Sequence, residues 1–413
     1  MTERPPSALA SADFRRLTLA RFLLTFALQV QTLVMAWQVY SLKHDPLYLG
    51  LIGLFEAVPA IGLALFSGDL IDRSDPLKAY KNVIRGCFCS ALLLFLVSNP
   101  AAGVPPGNRV AWIYLAAFIA GCARGFSQPA MYSLVPQMIP RESLAVSSAW
   151  ITAAFQTASV VGPGVGGVLF AWKGAPVPYG LDLLLIGGAM IAAALIRLRP
   201  KPAPSGPPGE TAFRRATSGL RFVFAHGILL PALALDMFAV LFGGVEAILP
   251  IFAGDILKIG AAGLGLLQAC PAVGALLGSA LMIRRPVNRR AGRILLGVVT
   301  GFGFCIIGFA LSKTVWLSFL LLGLAGGLDS VSMVIRGAIV QISSPDHMRG
   351  RVASVNSIFI GTSNEIGAFE SGAAAKLLGT VPSVVAGGCL TLATVAAAAV
   401  FAPELREMDL DRI

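Results

Sequence analysis

The sequence predicts an all-α polytopic membrane protein: twelve transmembrane helices in two pseudo-symmetric six-helix bundles. Apolar runs of about 20 residues, the length that crosses a bilayer as a helix, recur down the whole chain. Basic residues collect in alternate connecting segments. A stretch of the second run returns 212 residues later, in the eighth. Composition agrees, with 56% of the 413 residues apolar and 13% charged; a soluble domain carries about 25% charged residues. These features exclude a soluble enzyme, a nucleic-acid-binding domain and a disordered scaffold. The net charge of +11 resides in short segments between apolar runs, where it sets orientation.

Taken in order, the helices are expected near 16–40, 47–71, 79–98, 110–138, 144–171, 178–198, 226–253, 260–283, 291–311, 315–342, 350–376 and 381–402. Their apolar runs are continuous rather than alternating, which excludes barrel strands. The first run follows a polar, arginine-bearing N-terminus and is long enough to span, so no cleavable signal is expected. With a cytoplasmic N-terminus, one side gathers Arg15, Arg16, Arg73, Lys78, Lys81, Arg141, Arg197, Arg199, Arg284, Arg285, Arg349 and Arg351, among others. The other receives Lys43, Arg109, Lys173, Lys258, Lys313 and Lys376. That bias puts both termini in the cytoplasm and the chain in the inner membrane.

The Pro/Gly/Ser-rich stretch at 200–209, flanked by basic residues, reads as a cytoplasmic linker. It divides the chain into an N-terminal bundle (1–198), a linker (199–225) and a C-terminal bundle (226–413). The internal repeat pairs Gly53, Leu54, Ala57, Pro59, Ala60, Gly62 and Arg73 with Gly265, Leu266, Ala269, Pro271, Ala272, Gly274 and Arg285. Alanines and leucines match readily by chance; a proline and two glycines in register point to duplication, as in transporters built from parallel repeats.

Two motifs carry a family resemblance. The loop after the second helix contains Gly68, Asp72 and Arg73, and the fifth helix contains Gly162, Pro163, Gly166 and Gly167, with Ala158 before them. Together with the two halves and the linker, they resemble the major facilitator superfamily. Similarity along almost the full length is to its branch of enterobactin exporters and macrolide or multidrug efflux proteins. The resemblance implies a drug–proton antiporter working by alternating access, with the first, fourth, seventh and tenth helices lining a central cavity. Physically, Gly68 lets two helices approach, and Asp72 with Arg73 supplies contacts that can close one face. The fifth-helix glycines and proline make a tightly packed, bendable helix.

Charges within spans are costly and are functional candidates by default. They are Glu56, Arg124, Asp236, Glu246, Asp329, Arg336, Glu365 and Glu370. The cavity is expected to hold Gln29, Gln31, Arg124, Asp236, Asp329 and Arg336. At an offset of 205, Arg124 corresponds to Asp329, and Gly162 and Gly167 to Gly367 and Gly372. Arg124 and Asp329 can pair between halves, or each charge can pair within its own half. Acids outnumber bases, and no histidine lies in a span, so carboxylates must carry any coupled proton. Glu56, Asp236 and Glu365 are the candidates. The six cysteines lack zinc-ligand spacing, so neither metal, disulfide nor cofactor is expected. The leading reading is a monomeric, proton-coupled exporter of a small amphipathic molecule in the bilayer. A lipid or lysolipid transporter and a metal-ion exporter of the same fold remain alternatives.

Overall fold

The computed structural model describes residues 11–72, 75–139, 143–197, 212–285, 287, 289–345 and 348–410. The side chains of 64–72, 132, 144–146, 212–216, 349 and 354 are outside that description. The described residues fall into two compact units. One comprises 1–42 and 58–212, the other 43–57 and 213–413. The first stretch of the second helix thus counts with the C-terminal unit.

The N-terminal unit is built from α1 (Ala12–Lys43), the latter part of α2 (Pro46–Asp72), α3 (Pro76–Ser98), α4 (Pro106–Met138), α5 (Leu144–Lys173) and α6 (Pro176–Ala194). Pro opens α2, α3, α4 and α6, where its missing N–H belongs to the unbonded first turn. Asp75 caps α3 by accepting from the N–H groups of Leu77 and Lys78. The core runs between α1, α3, α4 and α6, with Leu17, Tyr80, Ile84, Leu134 and Ile186 inside.

The C-terminal unit holds α7 (Ala212–Ala225), α8 (Leu229–Gly243), the short α9 (Leu249–Ile251), α10 (Gly260–Arg284), α11 (Ala291–Leu311), α12 (Val315–Ser343), α13 (Arg349–Leu378), α14 (Thr380–Phe401) and α15 (Pro403–Arg406). All twelve expected spans are present as helix. Eleven are long and apolar enough to cross a membrane; α13, which carries Glu365 and Glu370, is the more polar twelfth. Two features were not expected. The end of the linker stretch, 212–225, is itself a helix. The seventh span is discontinuous: α8 stops at Gly243, a 3-10 turn covers Glu246–Ile248, and after α9 a π-helical stretch covers Phe252–Ile256. Gly243, Gly244 and Pro250 explain the break, since glycine weakens helix and proline lacks a ladder donor. The carbonyl of Gly244, freed by the break, accepts from Ser371 Oγ at 2.7 Å.

Small residues set the helix approaches. In the first unit, a Cβ on Gly162 would lie 2.7 Å from Gln29 Cβ, and one on Gly166 3.3 Å from Val30 Cα. The fifth-helix motif is therefore the surface on which α5 meets α1. Its counterpart Gly367 would place a Cβ 3.1 Å from the Leu241 carbonyl of α8. The repeat thus preserves one approach in each unit: fifth helix on first, eleventh on seventh.

Candidate functional site

Ionisable groups converge within the C-terminal unit, between α8 and α12. Asp236 stands seven residues after the start of α8, and Arg336 seven before the end of α12. These helices run oppositely, so both side chains lie about 10 Å in from the same helix ends. Arg336 Nη1 reaches Asp236 Oδ2 at 2.5 Å, and both side chains are buried. Arg336 Nε donates to Ser332 Oγ at 3.3 Å, which holds the guanidinium along its own helix.

Two further acids surround the pair. Asp329 lies in electrostatic reach of Asp236, Arg336 and Glu246. Glu246 opens the 3-10 turn that follows the break after α8. Asp236, Asp329 and Ser332 line a small cavity with Val299 and Phe302 of α11. Its volume is about 10 Å³, room for a single water and far below that of a ligand pocket. Chemically, this is a closed, charge-rich seam: Asp236 and Asp329 share the Arg336 guanidinium, and Glu246 lies beside Asp329.

The family of major facilitator proteins described as "Transmembrane secretion effector" matches residues 4–413. The chain belongs to that family. It is 26% identical over 377 residues to the enterobactin exporter EntS of Shigella boydii and to that of Escherichia coli, covering 91% of this chain and 88% of each relative. Among solved structures, a bacterial homologue of the iron transporter ferroportin superposes with a TM-score of 0.69 at 18% identity, covering 96% of this chain and 99% of that one. A bacterial homologue of the lysosomal transporter Spinster superposes at 0.67 with 15% identity, covering 95% of each chain. These superpositions establish the fold. The family is one of membrane transporters, not enzymes.

The other sequence candidates of this family member are distributed as follows. Arg124 lies on α4 of the N-terminal unit with an exposed side chain. Gln29 packs its Cβ against Gly162. Gln31 is 1% exposed and donates from Nε2 to Ser90 Oγ at 3.0 Å; Ser90 Oγ in turn donates to the Ala116 carbonyl. Gln31 is thereby turned onto α3, in the packing of its own unit. Gly162, Pro163, Gly166 and Gly167 are all buried. Arg73, with the side chains of Gly68 and Asp72, lies outside the described residues.

Glu56 is 7% exposed on α2, and Glu365 is half-buried on α13. Their helices touch at glycine. A Cβ on Gly53 would lie 2.6 Å from Ala368 Cβ and 3.3 Å from the Glu365 carbonyl, and one on Gly372 2.7 Å from Gly50 Cα. At the end of this contact, Lys376 Nζ pairs with Asp45 Oδ2 at 2.5 Å. Burial pushes the Asp45 carboxyl up, but the Lys376 ammonium and the Leu47 N–H outweigh it and hold the group below its ordinary value.

Ser332 and Asp182 are missing from the sequence reading, and Glu246 stands in it without a place in the site. Ser332 has no signal, being one serine among several on α12. Glu246 was read only as a charge near a helix end, because the break in the seventh span is not legible in hydropathy. Asp182 had a clear signal, as the lone charge of the apolar run 178–196. It is 0% exposed in the N-terminal unit and raises the acids within spans beyond those enumerated above.

Proposed function

We propose that the chain exports a small amphipathic molecule across the cytoplasmic membrane, as a monomer, by proton antiport with alternating access. The Asp236–Arg336 pair carries this reading. Buried ion pairs stabilise little relative to apolar packing, and charges at this depth are costly. Such a pair, flanked by two more acids and bordering a cavity, fits a site that changes state during turnover. Protonation of Asp236 releases Arg336 to Asp329 or to an anionic cargo group, and cargo binding discharges the proton. The membrane potential adds about 2.3 kcal/mol per charge per 100 mV to such a cycle.

Export is favoured by the exporter relatives over nearly the full chain and by the fifth-helix motif. Basic-residue asymmetry favours cytoplasmic termini. Arg124, Gln29 and Gln31 are proposed to complete the cavity when it opens. Glu56 and Glu365, on touching stretches of α2 and α13, are the alternative proton carriers. Gly68, Asp72 and Arg73 are proposed to close the cytoplasmic face. A metal cargo finds no support in side-chain grouping: among the described residues, no three His, Cys, Asp or Glu side chains are placed to hold an ion.

The deciding experiment is reconstitution into proteoliposomes with a panel of siderophores, dyes and lysolipids under an imposed pH gradient. Asp236→Asn and Asp329→Asn should lose pH-driven transport while cargo counterflow survives. Undiminished pH-driven transport in both variants would move coupling to Glu56 or Glu365. Preference for lysolipids over every soluble cargo would establish the lipid-transporter alternative.

A further inference from the structure

The N-terminal unit contains a buried acid that the seam between α8 and α12 does not use. Asp182 is 0% exposed, and neither carboxyl oxygen has a hydrogen-bond partner among the described residues. It sits six residues into α6, on the face that also buries Tyr179, Ile186, Ala189 and Ala193. The opposite face, with Leu184 and Ile191, is exposed as expected of a lipid-facing surface.

The surroundings of Asp182 include polar groups but, among the described residues, no counter-charge. One turn before it, the Tyr179 hydroxyl donates to Gln38 Oε1 of α1 at 3.0 Å. Gln38 Nε2 donates to Ser98 Oγ at the end of α3, also at 3.0 Å. α6 packs against α3, α5 and α1. From these elements α1 offers Gln38, α3 offers Ser98 and α6 itself offers Tyr179, the titratable group in electrostatic contact with Asp182. The charged group at this end of α5, Lys173, is exposed and lies over the Trp172 ring. A carboxylate here would be a bare buried charge, which proteins avoid by pairing or by protonation. With no cation facing it among the described residues, protonation is what remains.

We propose that Asp182 is a proton-binding site of the N-terminal unit, separate from the Asp236–Arg336 pair, and that it exchanges its proton with the medium at the membrane face where α6 begins. The polar Tyr179–Gln38–Ser98 cluster marks the side from which water can reach it, because α1 and α3 end at the face where α6 starts, and Ser98 is the last residue of α3. When that end of the unit hydrates, the proton passes to water and leaves a carboxylate that water can solvate. When the end dries, the proton returns. The use of this site in transport rests on the antiport reading; the presence and exchange of the bound proton do not.

Infrared difference spectroscopy of the full-length protein in lipid at neutral pH tests it. The wild type minus Asp182→Asn spectrum should contain a carboxylic-acid C=O band, and that band should shift in D₂O. Asn has the shape of the neutral acid, so the variant should keep wild-type thermal stability. If it fails to fold, Tyr179→Phe must move the same band by altering the nearest titratable neighbour. The proposal is overturned by carboxylate bands in place of the acid band, including bands that respond to sodium, which would mark a metal-cation site. It is equally overturned by an acid band that does not exchange in D₂O, the mark of a sealed structural group. Loss of pH-driven transport in Asp236→Asn neither produces nor removes this band, so failure of the antiport reading and failure of the Asp182 site are told apart.

Discussion

Removing the guanidinium of Arg336 should cost more than removing the charge of Asp236, and the seam between α8 and α12 gives the reason. Asp236 is 6% exposed and its hydrogen-bonded cation is Arg336. In Arg336→Gln the carboxylate stays buried beside Asp329, which itself neighbours Glu246, and the guanidinium that offsets both aspartates is gone. Breaking a buried pair from one side typically costs about 3–5 kcal/mol. For a unit of about 200 residues this corresponds to roughly 6–20 °C in melting temperature. Asp236→Asn leaves Arg336 in reach of Asp329, which takes over part of the pairing, so its loss should fall at the lower end or below it.

The double variant Asp236→Asn/Arg336→Gln replaces the ion pair by two amides of similar size. It should recover much of the stability of Arg336→Gln, with a coupling energy in the upper part of the range of about 0.5–3 kcal/mol found for residues in contact. Thermal unfolding of the four proteins in one detergent, followed by tryptophan fluorescence, measures the cycle. Because the pair is desolvated, the coupling should change little between low and high salt. Additive losses, or Asp236→Asn being the worse single variant, would refute the assignment of Arg336 as the counter-ion that holds the seam together.

Three further outcomes are expected. Gly162→Ala should lower both thermal stability and transport, by about 1–3 kcal/mol for the former, because its Cβ meets Gln29, whereas Gly164→Ala should be neutral in the same assays because nothing lies within 4 Å. The Asp45–Lys376 pair, 21% and 51% exposed, should contribute under about 1 kcal/mol. Since the folded carboxyl titrates below its unfolded value, that contribution is present above about pH 3.9 and lost below it; Lys376→Met should therefore change stability equally at pH 5 and pH 8. An impermeant thiol reagent added to intact cells should leave a cysteine at Ser205 unlabelled, and rapid labelling would reverse the proposed orientation.

Hydropathy and charge bias made the helices legible because both are properties of contiguous segments. All twelve spans could be placed within a few residues. Two features escaped because each depends on a neighbour outside its own segment. The break after Gly243 persists because Ser371, 127 residues away, satisfies the carbonyl it frees. Residues 212–225 are helical where composition suggested linker, and there Gly219 lies against the Arg351 backbone while Arg351 Nη1 donates to Ser218. The candidate site was half legible for the same reason. Depth in a span can be read from sequence, so Asp236, Asp329 and Arg336 stood out. Rotation about the helix axis is set by packing, so the pairing of Asp236 with Arg336 was only one of the open arrangements.

The duplication bears on why the two units hold their acids differently. Gly162 on α1 and Gly367 on α8 keep the same close approach, so backbone packing has survived divergence in both halves. The side chains at those approaches have not: Gln29 faces the first and the Leu241 backbone the second. In the C-terminal unit Asp236 is paired with a base from an adjacent helix. In the N-terminal unit the carboxyl oxygens of Asp182 have no hydrogen-bond partner among the described residues. A buried carboxylate beside a guanidinium depends on that cation to stay charged, while one with no cation has desolvation alone acting on it. The two acids therefore answer to different neighbours, Asp236 to a guanidinium and Asp182 to desolvation alone. In the proposed antiport cycle, Asp236→Asn and Asp182→Asn should alter proton exchange independently of one another.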